Sequence, residues 1–336
     1  MMERPIGNGA TLDKLQSLAV EGRLHPCLLF EGPVGVGKAS AATWLACAAN
    51  CETEAAPCGR CWSCRQIPIG QHPDVVLVGV DPKKTTRIIS VAQARALQKQ
   101  LTVKPFHASH RFVIIDPADA MTAEAANALL KTFEDPPTQT HFILVTGAPA
   151  SLLLTVRSRS QRVRFAPVDE RLLVDWLSAK GVSNPETVAR AAEGCPGRAL
   201  HFDTTGIAAW RSTRDALLSA IDDPVAERLK YAETLTRGDR SKWAPKVDES
   251  LHALSALLRD ALSVLDGGAV RYNDDRFDAV QRWAHALGRS GLARSVMAVD
   301  DAHERLDRFV NGRLVMDALI AAVHEQLNQG GRDGVV

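Results

Sequence analysis

The chain has 336 residues, 46% of them hydrophobic and 24% charged, and its 40 basic and 39 acidic side chains leave a net charge of +1. That is enough apolar material for two or three buried cores, and it excludes a protein held on nucleic acid by a global basic field; such contact would need a local patch or partner subunits. No 18-residue apolar run occurs and the N-terminus MMERPIGNGATLDK lacks a charged-then-apolar leader pattern, so no membrane span and a cytoplasmic location are expected.

In chain order, the first predicted strand is CLLFE (27–31). A glycine-rich loop follows, with Gly32, Gly35, Gly37 and Lys38, and a helix begins at Lys38. Glycines at this spacing let backbone N–H groups turn inward around phosphate oxygens, and the helix N-terminus and the lysine add positive charge. The next residue is Ala39, where a Ser or Thr hydroxyl would hold magnesium. A ligand-free glycine turn is the plainer alternative.

The next segment, CETEAAPCGRCWSC (51–64), holds Cys51, Cys58, Cys61 and Cys64. In a reducing compartment such a cluster points to metal rather than disulfides. Two overlapping Cys-x2-Cys turns plus one more thiolate suit a tetrahedral structural zinc, and a closed four-thiolate site leaves no position for catalysis. An iron–sulfur cluster is the rival, although its usual fourth cysteine follows the triplet rather than preceding it. Cys27, Cys47 and Cys195 are expected as small buried apolar residues.

Further strands are predicted at VVLVGV (75–80), FVIID (112–116), FILVT (142–146) and RVRF (162–165). Helices are predicted over 91–101 and over 123–133, the latter stopped by Pro136-Pro137. The alternation implies a parallel sheet with helices on both faces. Asp116 ends the third apolar run, where a carboxylate would hold magnesium through water; a strand-end cap is the alternative. The usual next residue in an active ATPase is a glutamate that serves as base for the attacking water, but here it is Pro117. Ala39 and Pro117 remove two hydrolytic parts together while Lys38 is kept. Turnover is therefore expected to be lost, and binding of ATP with Mg2+ is left open.

After Pro167 the pattern turns helical: 170–181, 184–194, 208–221, 223–236, 243–265, 274–289, 291–309 and 311–328, with a frayed tail from Gly330. No internal repeat is evident.

Taken together, GRLHPCLLFEGPVGVGKA (22–39), the four-cysteine insertion, GQHPDVVLV (70–78), FVIIDPADAMTAEAANALLKTFEDPP (112–137), FILVTGAPASLLLTVRSRSQRVRF (142–165) and GCPGRAL (194–200) carry a resemblance. The chain resembles the clamp-loader branch of the AAA+ family, most of all the delta-prime subunits of bacterial DNA polymerase III. The resemblance covers about residues 10 to 200 strongly. It is weaker in the C-terminal helices, where ERLDRFVNGRLVMDAL (304–319) is similar to the last helix pair of a collar domain. It implies an α/β P-loop domain with an inserted zinc-binding module over 1–166, a small helical lid over 167–204 and an all-α oligomerisation collar over 205–330.

LLKTFEDPP (129–137) is a specific signature of that branch. Ser158-Arg159-Ser160 matches its Ser-Arg-Cys motif with the arginine kept, which implies an arginine finger donated by Arg159 to a neighbour's ATP. A solvated basic face with Arg157, Arg162 and Arg164 is the plainer reading. Arg198 matches the second sensor position and Thr146 the first. The resemblance implies a poor or inactive ATPase within a hetero-oligomeric ring of gamma/tau and delta types, which places a sliding clamp on primer–template DNA. An active motor ATPase of the gamma/tau type is the alternative. A free-standing zinc-containing DNA-binding module fits the near-neutral charge and the 5% aromatic content poorly.

Overall fold

The computed structural model describes residues 3–53, 56–81, 88–106, 109–222, 225–307 and 310–333. They form two compact units: Met1–Pro185 with Ala192–Leu200, and Glu186–Ala191 with the chain from His201 onward. None of the described helices is long and apolar enough to cross a membrane.

The first unit is built on a parallel sheet of β1 (Cys27–Glu31), β2 (Val75–Val78), β3 (Arg111–Ile115), β4 (Thr140–Thr146) and β5 (Gln161–Arg164), in the order β2-β3-β4-β1-β5. Its helices are α1 (Gly9–Val20), α2 (Lys38–Ala49), α3 (Trp62–Gln66), α4 (Val91–Leu101), α5 (Ala123–Glu134), α6 (Leu154–Arg157) and α7 (Glu170–Ala179). Strand side chains alternate between two cores. Leu28, Phe30, Phe112, Ile114, Ile143 and Val145 join Leu12, Leu15, Ala42 and Leu45 of α1 and α2. Cys27, Leu29, Val113, Ile115, Phe142 and Leu144 join Leu97, Leu129 and Phe133 of α4 and α5. Burial on both faces is why these strands read as unbroken apolar runs rather than alternating ones. Helix α4 starts at a Ser90–Gln93 capping box, and Thr122 accepts from the Ala125 N–H at the start of α5.

β5 lies at one edge of the sheet. Just past it, the Asn8 side chain pairs with the Ala166 backbone: its Nδ2 donates to the carbonyl at 3.0 Å and its Oδ1 accepts from the N–H at 2.9 Å.

Two helices cross the division between the units, α8 (Pro185–Ala192) and α9 (Pro196–Thr205). The second unit continues with α10 (Ile207–Asp222), α11 (Val225–Leu235), α12 (Arg240–Leu265), α13 (Phe277–Asp307) and α14 (Gly312–Asp333). Their apolar faces, including Leu217, Val247, Leu254, Leu258, Trp283, Leu287, Met316 and Ile320, meet in one core. The break predicted between two helices near residue 290 appears as a departure from helical geometry at Gly288, inside α13. The predicted helix edges at 223 and 309 lie outside the described residues. α14 does not stop at Gly330 as predicted but runs on to Asp333, since each glycine costs a helix only about 1 kcal/mol.

Candidate phosphate-binding loop and thiolate cluster

Parallel pairing fixes which residues share an edge. Glu31 lies beside Thr146, and Ile115 beside Leu144, so the chain leaves β1, β3 and β4 at the same, carboxyl-terminal end of the strands. The glycine loop, Asp116 and Thr146 are thereby brought together. Lys38 is buried, and its ammonium donates to the Gly32 and Pro33 carbonyls at 2.6 and 2.7 Å. Burial lowers its pKa from the ordinary value, and the charge of Asp116 pulls it back up.

Gly32 has φ +149°, and a Cβ there would come within 2.3 Å of the Phe165 carbonyl oxygen. Gly37 also has positive φ, +103°, but a Cβ there would meet open space. Gly32→Ala should therefore cost about 3 kcal/mol of stability, from strain plus a clash with fixed backbone, and Gly37→Ala about 1 kcal/mol. Urea unfolding of the two variants measures the difference.

GCPGR (194–198) lies against the loop. The Gly197 N–H donates to the Gly35 carbonyl at 2.8 Å, and a Cβ on Gly35 would stand 3.1 Å from the Arg198 nitrogen. Arg198 is thus at the loop, with Nη1 3.4 Å from Glu193 Oε2. Ala39 is exposed on the first turn of α2 and offers no metal ligand.

Two further groups belong to this site without having been singled out in the sequence. Asp119, on a short 3-10 turn at Ala118–Ala120, accepts a short hydrogen bond from Thr146 Oγ1 and acts electrostatically on both Lys38 and Asp116. An acid three residues after Asp116 was the available signal. Glu31, directly before the loop, is buried and accepts from Arg162 Nε at 2.9 Å and Arg164 Nε at 2.9 Å. Burial opposes its ionisation, but the two arginines outweigh burial and hold the carboxyl below its usual range.

Arg159 is not at this site. It precedes β5, whose first residue Gln161 lies beside Leu28, so it stands at the opposite end of the strands from Lys38. Its Nε is 3.1 Å from Glu134 Oε2, and its Nη1 donates to the Thr155 carbonyl at 3.2 Å. Ser160, where the motif has cysteine, places its hydroxyl 3.3 Å from the Cys27 sulfur. Burial pushes the Cys27 thiol up to about 12, which keeps it neutral.

The four predicted thiols converge. The Sγ atoms of Cys51, Cys58, Cys61 and Cys64 all lie within 4.8 Å of one another. Four sulfurs around one ion at about 2.3 Å stand about 3.8 Å apart, so a small contraction closes the shell. Backbone N–H groups already point at the sulfurs, Cys58 N to Cys51 Sγ and Cys61 N to Cys58 Sγ at 3.3 Å each. Donation from Cys61 and Arg60 holds the Cys58 thiol down to about 6, which favours the thiolate a metal needs. The loop is tied to α1 by Gln16 Nε2 donating to the Ala56 carbonyl at 2.8 Å, and three of the cysteines rest on the core. Cys47 is not one of the four; burial pushes it up to about 12, and the nearby Cys61 and Cys51 add to the rise, as expected of a packing residue. The cluster could bind a metal ion.

The family model described as "DNA polymerase III, delta subunit" matches residues 7–169. DNA polymerase III subunit delta' of Bacillus subtilis (strain 168) is 30% identical over 311 residues, which cover 90% of this chain and 92% of that protein. The subunit of the same name from Escherichia coli (strain K12) is 30% identical over 325 residues, covering 95% and 94%. DNA polymerase III subunit tau of Escherichia coli (strain K12) is 33% identical over 250 residues, but these span only 38% of that longer protein. Two relatives matched almost end to end carry one name, and the chain belongs to the delta' subunit family of DNA polymerase III.

Proposed function

We propose that the chain is the delta'-type, largely non-hydrolysing member of a clamp-loader ring, and that it donates Arg159 to the ATP held by a neighbouring subunit. The observation that supports this reading is that Arg159 lies at the end of the strands away from its own phosphate loop, where it would be free to serve a loop of another chain. The partners would be gamma/tau- and delta-type subunits, with the sliding clamp and primer–template DNA engaged through the complex, in the cytoplasm. Residues 1–166 would form the AAA+ domain with a structural zinc, 167–204 the lid and 205–330 the oligomerisation collar.

Gly32, Gly35, Gly37 and Lys38 would cradle phosphate, Thr146 and Arg198 would report on it, and Asp116 would face any bound Mg2+. This chain's own part is to hold and orient: Lys38 must leave the Gly32 and Pro33 carbonyls to reach a phosphate oxygen. Ala39 and Pro117 supply neither a metal hydroxyl nor a proton acceptor. The similarity to tau supports the alternative, a motor ATPase of that type.

The isolated chain is expected to show no magnesium-dependent ATP hydrolysis. In the assembled ring, Arg159→Ala should lower turnover at the site it serves by about 10³-fold while assembly persists. Hydrolysis by the lone chain that Lys38→Ala abolishes would instead establish the motor reading. Unchanged ring turnover in Arg159→Ala would remove the finger.

A further inference from the structure

Glu134 is the last residue of α5, where the helix dipole disfavours a negative side chain. Its carboxylate is mostly exposed, and a solvated ion pair adds little to stability. A glutamate in this position therefore has little structural return. Among the described residues its ion-pair partner is Arg159, and the geometry of that contact is specific.

Glu134 takes Arg159 through Nε, and the Thr155 carbonyl at the start of α6 takes it through Nη1. Helix α5 and helix α6 thus grip the guanidinium from two directions. Among the described residues Nη2 has no partner, and the side chain is about one-third exposed, 35%. A carboxylate that parked the arginine would take the terminal fork end-on, in the paired geometry that also binds phosphate. Here the contact is on the inner nitrogen, Nε, and the carboxylate does not take the terminal Nη2.

We infer that Glu134 is a positioning residue: with the Thr155 carbonyl it fixes the plane of the Arg159 guanidinium so that the Nη2 edge is presented to an anionic phosphoryl group on another subunit. The inference rests on the finger reading of Arg159. A free arginine side chain samples many rotamers, and a misplacement of about 1 Å at a reacting phosphate can cost about 100-fold in rate. Orientation by Glu134 would therefore act on turnover and not on nucleotide affinity.

The test is steady-state ATP hydrolysis by the complete assembled ring, with kcat and KM measured separately for four variants. Glu134→Ala is expected to lower kcat about 5- to 20-fold at unchanged KM. Glu134→Gln, whose amide oxygen still accepts from Nε, should keep at least half of the wild-type kcat. In an Arg159→Ala background, Glu134→Ala should have no further effect, because it acts only through that arginine. Urea midpoints of the isolated chains should coincide. A wild-type kcat in Glu134→Ala, beside a strongly impaired Arg159→Ala, would overturn the positioning role and leave the finger intact. So would an equal loss from Glu134→Ala when Arg159 is already absent. If Arg159→Ala itself leaves turnover unchanged, the finger reading fails, and this inference fails with it.

Discussion

Protein carrying Cys61→Ser is expected to leave purification with well under half an equivalent of bound metal, against about one equivalent of zinc for the wild type. The four Sγ atoms lie within 4.8 Å of one another, so each thiolate would be one corner of a shared shell. Structural zinc in small four-ligand peptides contributes about 10–16 kcal/mol, and losing one of four corners forfeits on the order of 3 kcal/mol of it. Cys61 is a severe choice because it also caps α3, accepting from the Cys64 N–H at 3.5 Å. The melting transition should fall with the metal, and chelator should produce the same shift in wild type. Cys47→Ser, a substitution outside the shell, should leave the metal content unchanged. Elemental analysis decides the identity of the ion: iron in place of zinc would overturn the zinc assignment. Binding should weaken as pH falls, because protons compete for the sulfurs.

The second large effect is expected in the second unit. Arg214 is fully buried, and its guanidinium is held by Asp275 at 2.7 and 2.8 Å and by Asp215 at 2.8 and 2.9 Å. Arg276 binds Asp215 from outside. Taking one partner from a buried charge costs far more than the pair contributes, so Asp275→Ala should destabilise by about 3 kcal/mol. Replacing Arg214 and Asp275 together by Met and Leu should recover most of that loss, because no charge is then left buried without its partner. Chemical denaturation of both variants measures it.

The same cluster sets a pH dependence. The Arg276 hydrogen bond holds Asp215 below the ordinary carboxylate value, and the Arg214 hydrogen bond does the same for Asp275. With depressed folded values, their contribution is complete above the unfolded value of about 3.9. It drains away as pH falls through the folded values. Acid titration should leave this contribution untouched near neutrality and remove it only below about pH 4.

Much of the first unit was legible because its signals are local. Strands buried on both faces leave continuous runs such as FILVT, glycines before Lys38 demand a turn, and four cysteines within 14 residues point to a shared cluster. What sequence did not show is mostly partnership at long range. Asp119 becomes part of the phosphate-loop site only because β4 brings Thr146 beside it, 27 residues away in the chain. Glu134 and Arg159 stand 25 residues apart, with β4 between them in the chain, and meet because α5 packs beside α6. Arg214 looks like any charged residue on an amphipathic helix until Asp275 closes over it from 61 residues further on. Short elements such as α3 and α6 are too brief for periodicity to register. In the second unit Pro245 lies within α12, which begins at Arg240 rather than at the predicted residue 243.

The Asn8 side chain beside Ala166 bears on how this chain behaves in crowded company. An edge strand offers unpaired N–H and C=O groups, and any second chain can add to it as one more strand. Here an amide side chain occupies the first backbone pair beyond β5, satisfying donor and acceptor at once. Along β5 itself Arg162 and Arg164 stand two residues apart, so a second copy approaching that edge would meet like charge. The N–H and C=O of Ala166 are thereby withheld from any strand that would add at that point.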